Sequence, residues 1–155
     1  MARSGSSVAP RPAMRSWNAL SFSAAFSAAP TLLSEDVTVP RDKIAVLIKK
    51  CNDIGQKYGF PIHIAGHAGD GNLHPAILTD INDKDNFGKA MQAVDEMILA
   101  TLDLGGVISG EHGIGLEKKR FMKVGLDPVT LNIMRGIKKV FDPNGILNPG
   151  KYWED

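Results

Sequence analysis

Two glycine-rich stretches hold the residues best suited to chemistry: His67-Ala-Gly-Asp-Gly-Asn-Leu-His74 and Gly110-Glu-His-Gly-Ile-Gly115. Asp70-Gly71 is a strong two-residue hairpin signal, because a type I′ turn needs positive φ at both central positions. A hairpin closed there sets His67 directly opposite His74. Directly opposed residues hold their Cβ atoms roughly 5 Å apart on one face. Two imidazoles so arranged can grip one metal ion. Glu111 completes a three-ligand set that leaves a position open for substrate. Neighbouring side chains of extended backbone point to opposite sides, so His112 is expected to face away from the metal as a general base.

Each reading has a plainer competitor. A histidine beside a tight turn is ordinarily a polar residue near a turn, and the spacing of His67 and His74 is no zinc-finger signature. Glu111-His112 reads equally as a solvated loop with a chance charge pair. Glycines such as Gly110 and Gly113 let backbone approach a ligand or cofactor closely. The loop nevertheless lacks the Lys-Ser/Thr ending of a P-loop and the glycine spacing of a dinucleotide fingerprint. Asp70 is accounted for as a turn former. His63 reads as a surface or packing residue, and Glu117-Lys-Lys-Arg120 as a solvated helix face.

The elements that must position these residues follow from periodicity. Val37-Thr-Val39 reads as a short strand, with Pro40 at the first position of a helix over 41–58 that Gly59 stops. Strands over 60–68 and 73–79 flank the turn, with Ile62, Ile64, Leu73 and Ile77 on a core face and His63, His67 and His74 on the other. A second helix spans 85–104, with Met91, Val94, Ile98 and Leu102 as its stripe and Gly105-Gly106 as its end. Val107–Ser109 is a short strand, and a short helix covers 116–122. Another helix begins at Asp127-Pro128, with Leu131, Met134, Ile137 and Val140 inward. The turn-rich tail 142–151 is tethered by Ile146 and Leu147. An antiparallel hairpin among alternating strands and helices points to an α+β fold.

Composition bounds the function. The chain has 155 residues, 43% of them apolar, enough for one domain with a real core. A net charge of +1 without a basic run argues against nucleic acid as partner. No apolar stretch approaches the ~20 residues of a transmembrane helix. Cys51 is the one cysteine, so no internal disulfide exists, and its position in a helical stripe predicts a buried thiol. Residues 1–29 carry Arg3, Arg11 and Arg15, many Ser and Ala, and no acidic residue. That composition suits a mitochondrial transit peptide and equally an irregular N-terminal segment. The chain is expected in the cytoplasm, or in mitochondria if 1–29 is a transit peptide.

Three motifs in order carry a resemblance: His67 to Pro75, Gly110 to Gly115, and Asp142-Pro-Asn-Gly-Ile-Leu-Asn-Pro-Gly-Lys151. They are similar to the C-terminal domain of FAD-linked oxidases. The branch is that of the glycolate oxidases and D-lactate dehydrogenases, within the vanillyl-alcohol oxidase group. Glu35-Asp-Val-Thr-Val-Pro40 and the helix after it fit the same pattern.

The resemblance implies a cap (substrate) domain over 30–155, a partial ferredoxin-like sheet with flanking helices and a C-terminal helical subdomain. It implies that His67, His74 and Glu111 hold a divalent metal, zinc or manganese, and that His112 takes the hydroxyl proton of a small D-2-hydroxy acid. The cofactor it implies is FAD, with Gly110, Gly113 and Asn148 on the cofactor side. Nothing in 1–29 resembles the family's FAD-binding domain, so the expectation is the metal and substrate half of a flavin-dependent oxidoreductase. One rival is a split enzyme in which a partner polypeptide supplies the flavin half; the other is an inactive truncated remnant that only packs against a partner.

Overall fold

The computed structural model describes residues 30–152; the transit-like segment 1–29 lies outside the described residues. Strands β1 (Thr31–Ser34), β2 (Val37–Thr38), β3 (Ile62–His67) and β4 (Asn72–Thr79) form one antiparallel sheet. β4 is central, with β3 along one edge and β1 and β2 end to end along the other. Helix α1 (Ile44–Tyr58) joins β2 to β3, and α2 (Lys84–Asp103) follows β4. Thr38 makes one antiparallel bridge to Val107, so the strand expected at 107–109 is reduced to a single bridge. The class is α+β, as the pattern of elements predicts, and the order is the ferredoxin-like one that the resemblance implies. A short helix α3 (Met122–Gly125) and a longer α4 (Pro128–Phe141) form the C-terminal helical part. No helix among the described residues is long and apolar enough to cross a membrane.

Local chemistry explains the helix limits. Pro40 sits at the N-cap, one position before the one expected, and a 3₁₀ turn over Arg41–Lys43 leads into α1. Leu47, Cys51 and Ile54 face inward, and Gly59 ends the helix at φ 84. The Asp83 side chain caps α2 by accepting the Asn86 N–H. Gly105 and Gly106 close its other end by donating to the Leu102 and Thr101 carbonyls, the Schellman pattern. The buried stripe of α2 centres on Ala93, Val94, Met97 and Ile98, with Met91 only half-buried. These side chains meet Leu47, Cys51, Leu73 and Ile77 in one core on the apolar face of the sheet. Burial pushes the Cys51 thiol up to about 11.

The hairpin departs from the expected register. Asp70 N–H donates to the His67 carbonyl, Asp70 stays out of the left-handed region, and Gly71 alone takes φ 78. A type I′ turn needs both residues left-handed, so the loop lengthens to four residues, 68–71. Val39 N–H donates to the Gly71 carbonyl and draws that residue against β2. His67 therefore stands opposite Asn72, and His74 opposite Ala65. A slip of one residue would exchange the faces, but this shift preserves parity. The three histidines accordingly keep one face, and Ile62, Ile64, Leu73 and Ile77 the other.

The C-terminal part also differs from expectation. Leu131 is buried and Met134 half-buried, but Ile137 and Val140 are 55% and 77% exposed. Ile146 and Leu147 are exposed too, so they do not tether the tail. Asp142 does that: its carboxylate accepts the N–H groups of Ile146 and Leu147 and pairs with Lys138.

Candidate metal centre

His67 and His74 meet diagonally across the β3–β4 hairpin, their rings 5.6 Å apart and nearly perpendicular. His74 is buried and His67 exposed. On the other side of β4, the register Ser34↔Ala76 continues unchanged as Val37↔Leu73. Asp36 thus stands opposite His74, in the gap between β1 and β2. Pro75, which has no N–H to give, lies at that gap, and its carbonyl accepts from Glu35 N–H.

Asp36 is fully buried and organises the loop after Val107. Its Oδ1 accepts from Asn72 Nδ2 at 2.6 Å. Its Oδ2 accepts from Ser109 Oγ and from the successive N–H groups of Gly110, Glu111 and His112, all at 2.8–2.9 Å. Burial alone would raise the pKa of this carboxyl. The His112 and Glu111 N–H groups, Asn72 and Ser109 outweigh it and hold the group well below the ordinary carboxylate range. Lys118 Nζ donates to the Asp36 carbonyl at 2.6 Å and pairs with Glu35 at 3.2 Å. Lys118 is therefore buried, not part of the solvated helix face expected from its charged neighbours. Burial raises the pKa of Glu35, and Lys118 opposes that rise.

The curl of backbone around Asp36 overturns the expected divergence of Glu111 and His112. Three consecutive N–H groups that converge on one oxygen cannot belong to extended backbone, so adjacent side chains need not alternate. Glu111 Oε1 lies 3.1 Å from His74 Nε2, 3.6 Å from His67 Nε2 and 3.6 Å from His112 Nε2. The His112 ring stacks on that of His74 at 5.0 Å and 8°.

One ligand atom from each of His67, His74 and Glu111 lies within 4.8 Å of the others. Two imidazole nitrogens and a carboxylate oxygen suit a divalent ion with an open position. The buried Nδ1 of His74 has no hydrogen-bond partner, while its Nε2 faces the cluster. The residues fit a divalent metal.

The three positions expected on the cofactor side have different surroundings, with Lys151 common to those of Gly113 and Asn148. Gly110 packs on Asn72 and Thr38 so closely that any Cβ would collide with the Asn72 amide. Contact within the chain already requires this glycine. Gly113, at φ 83, lines a cavity of about 340 Å³ with His112, Lys118 and Lys151. Asn148 lines another of about 440 Å³ with Ile137, Leu147 and Lys151.

Sequence reasoning missed Asp36, Asn72, Ser109 and Lys118. One signal for Asp36 was present: an aspartate directly before the β-branched run Val37-Thr-Val39, which needs partners if that segment is buried.

The sequence model of a family described as "FAD linked oxidases, C-terminal domain" matches residues 8–152. The chain is 47% identical over 122 residues to glycolate oxidase subunit GlcD of Bacillus subtilis (strain 168), covering 79% of this chain and 26% of that protein. It is 42% identical over 129 residues to D-lactate dehydrogenase of Anaerostipes hadrus, 82% of this chain and 27% of the relative. It is 39% identical over 125 residues to D-2-hydroxyglutarate dehydrogenase of Stutzerimonas stutzeri (strain A1501), with shares of 78% and 27%. The chain spans about a quarter of the length of these relatives. It belongs to the family of FAD-linked oxidases, C-terminal domain.

Proposed function

On the premise of that membership, we propose that this chain supplies the metal and substrate half of a flavin-dependent active site for a D-2-hydroxy acid of the glycolate or D-lactate type. The observation that carries the reading is the convergence of His67, His74 and Glu111, with the His112 ring stacked on His74. When bound, FAD supplies the hydride acceptor, and zinc or manganese supplies Lewis acidity toward the substrate's oxygens. His67 and His74 offer Nε2 lone pairs to the ion, and Glu111 offers Oε1. His112 keeps its Nε2 beside the same carboxylate oxygen and takes the substrate's hydroxyl proton. Gly110, Gly113 and Asn148 belong to the side assigned to flavin contact. FAD itself is held by a domain or polypeptide outside the matched quarter. The exposed apolar side of α4 favours a second reading, in which the chain acts only through such a partner.

Metal analysis tests the first half of this reading. The purified chain should carry up to one Zn²⁺ or Mn²⁺, and His74→Ala should lose most of it; equal content in both would overturn the metal assignment. In a complex reconstituted with a flavin domain, His112→Ala should lower kcat by about 10²–10⁴-fold and keep its metal. Glu111→Ala should lose metal and activity together. The chain alone should retain no flavin, so a yellow purified protein would count against the partner.

A further inference from the structure

Asp36 makes no hydrogen bond to the side chain of any of the three candidate ligands, yet two of them depend on it. Its Oδ2 collects the N–H groups of Gly110, Glu111 and His112 and so sets the backbone from which the Glu111 carboxylate projects. Its Oδ1 lies 3.9 Å from the buried, unpartnered Nδ1 of His74. A neutral imidazole carries one proton, and the charge facing one nitrogen decides which nitrogen keeps it. If Nε2 is to give a lone pair to an ion, the proton must reside on Nδ1, where the Asp36 carboxylate faces it. Asn72, the other side chain on Oδ1, anchors Asp36 from the same strand as His74. A fully buried carboxylate is costly, and a buried position beside a sheet is ordinarily apolar.

We propose that Asp36 is the positioning residue of this site: one carboxylate fixes the Glu111–His112 loop and directs Nε2 of His74 outward by favouring a proton on Nδ1. The inference rests on the metal reading, which it deepens. Partners that orient a ligating histidine typically change metal affinity 10- to 100-fold when replaced.

The test uses the whole chain with Asp36→Asn, which keeps the volume and removes the charge. Zn²⁺ titration should show affinity 10- to 100-fold below wild type. Nitrogen-15 spectra of the Zn²⁺-loaded wild type should show a downfield Nδ1 proton at His74, and that resonance should shift upfield or vanish in Asp36→Asn. A merely structural role for Asp36 would not move that proton. Should Asp36→Asn not fold, Ser109→Ala separates the two roles. It loosens the loop and leaves the carboxylate, so it should lower Zn²⁺ affinity several-fold with the His74 proton unmoved. Equal Zn²⁺ affinity and an unchanged His74 proton in Asp36→Asn, or a displaced His74 proton in Ser109→Ala, overturn the proposal. If the wild type binds no Zn²⁺, the metal reading fails separately. The spectra of the metal-free chain then decide: a His74 Nδ1 proton in wild type that Asp36→Asn displaces supports positioning, and identical spectra overturn it.

Discussion

Two buried aspartates each gather backbone N–H groups from a loop, Asp36 in the sheet and Asp142 after α4, and the two loops come out differently. The N–H donors on Asp36 come from 74 to 76 residues away in the chain. Those on Asp142 come from four and five residues ahead. Hydrogen bonding to Lys138, with the Leu147 and Ile146 N–H groups, holds the Asp142 carboxyl below its ordinary value; burial opposes this. Asp36 ties distant elements together around its own buried carboxylate, with Glu111 and His112 exposed beyond it. Asp142 closes a local turn and leaves Ile146 and Leu147 in solvent. The same device therefore joins distant elements when its donors are remote and shapes only the local chain when they are neighbours.

The sharpest way to break this comparison is to remove both carboxylates. Asp36→Ala should strand the Ser109 hydroxyl and three loop N–H groups and leave Asn72 Nδ2 with Thr38 Oγ1 alone, costing about 3–5 kcal/mol in urea unfolding. Asp142→Ala should cost less, since it frees fewer donors, two N–H groups and the Lys138 ammonium. The Asp36 contribution has a pH signature. A carboxyl lowered in the folded state contributes fully above its ordinary pKa of 3.8 and is lost as pH falls below it. Equal losses for the two variants at pH 7 would show that donor distance is irrelevant.

Lys118→Met sharpens the picture on the sheet side. It leaves Glu35 buried without its cation, a loss of about 3 kcal/mol at pH 7. Glu35 already has a raised pKa, so its folded form favours the proton. The penalty for burying its charge appears as pH rises through that pKa, and the loss should shrink as pH is lowered toward the ordinary carboxylate range. A loss independent of pH would assign the effect to packing.

Two glycines give a smaller contrast with opposite signs. Gly110→Ala forces a methyl into the Asn72 amide and should destabilise by about 1–3 kcal/mol. Gly136 lies within α4 with open space around it, so Gly136→Ala should stabilise by about 0.5–1 kcal/mol. Thermal unfolding reads both. The smallest effect belongs to Ile137→Ser, within about 0.5 kcal/mol because Ile137 is already solvated. A larger loss would mean that the exposed side of α4 is covered in solution.

Much of the site was legible in the residues themselves. His67, His74 and Glu111 stand out by type and by their glycine-rich settings, and alternation assigned the histidines to the correct face. The register was misread because the Asp-Gly signal is local, whereas the Val39–Gly71 bond that lengthens the turn joins residues separated by the whole of α1 and β3. His112 was misdirected for a related reason. Alternation assumes extended backbone, and Asp36 curls that backbone from across the fold. Ile137 and Val140 have the spacing of an inward stripe, but spacing states only which side of a helix is apolar, not what covers it.

By itself, then, the sequence determined periodicity, faces, helix ends at Gly59 and Gly105, and the inventory of chemistry-bearing side chains. Each depends on residues within a few positions of one another, where propensity and pattern act. The tertiary structure alone decided the hairpin register, the burial of Asp36 and Lys118, the stacking of His112 on His74 and the bare side of α4. Each of those depends on where a distant carbonyl, carboxylate or apolar face comes to lie. Local pattern constrains parity and sidedness, but the partner across a ladder or over a loop is chosen by long-range hydrogen bonding and packing.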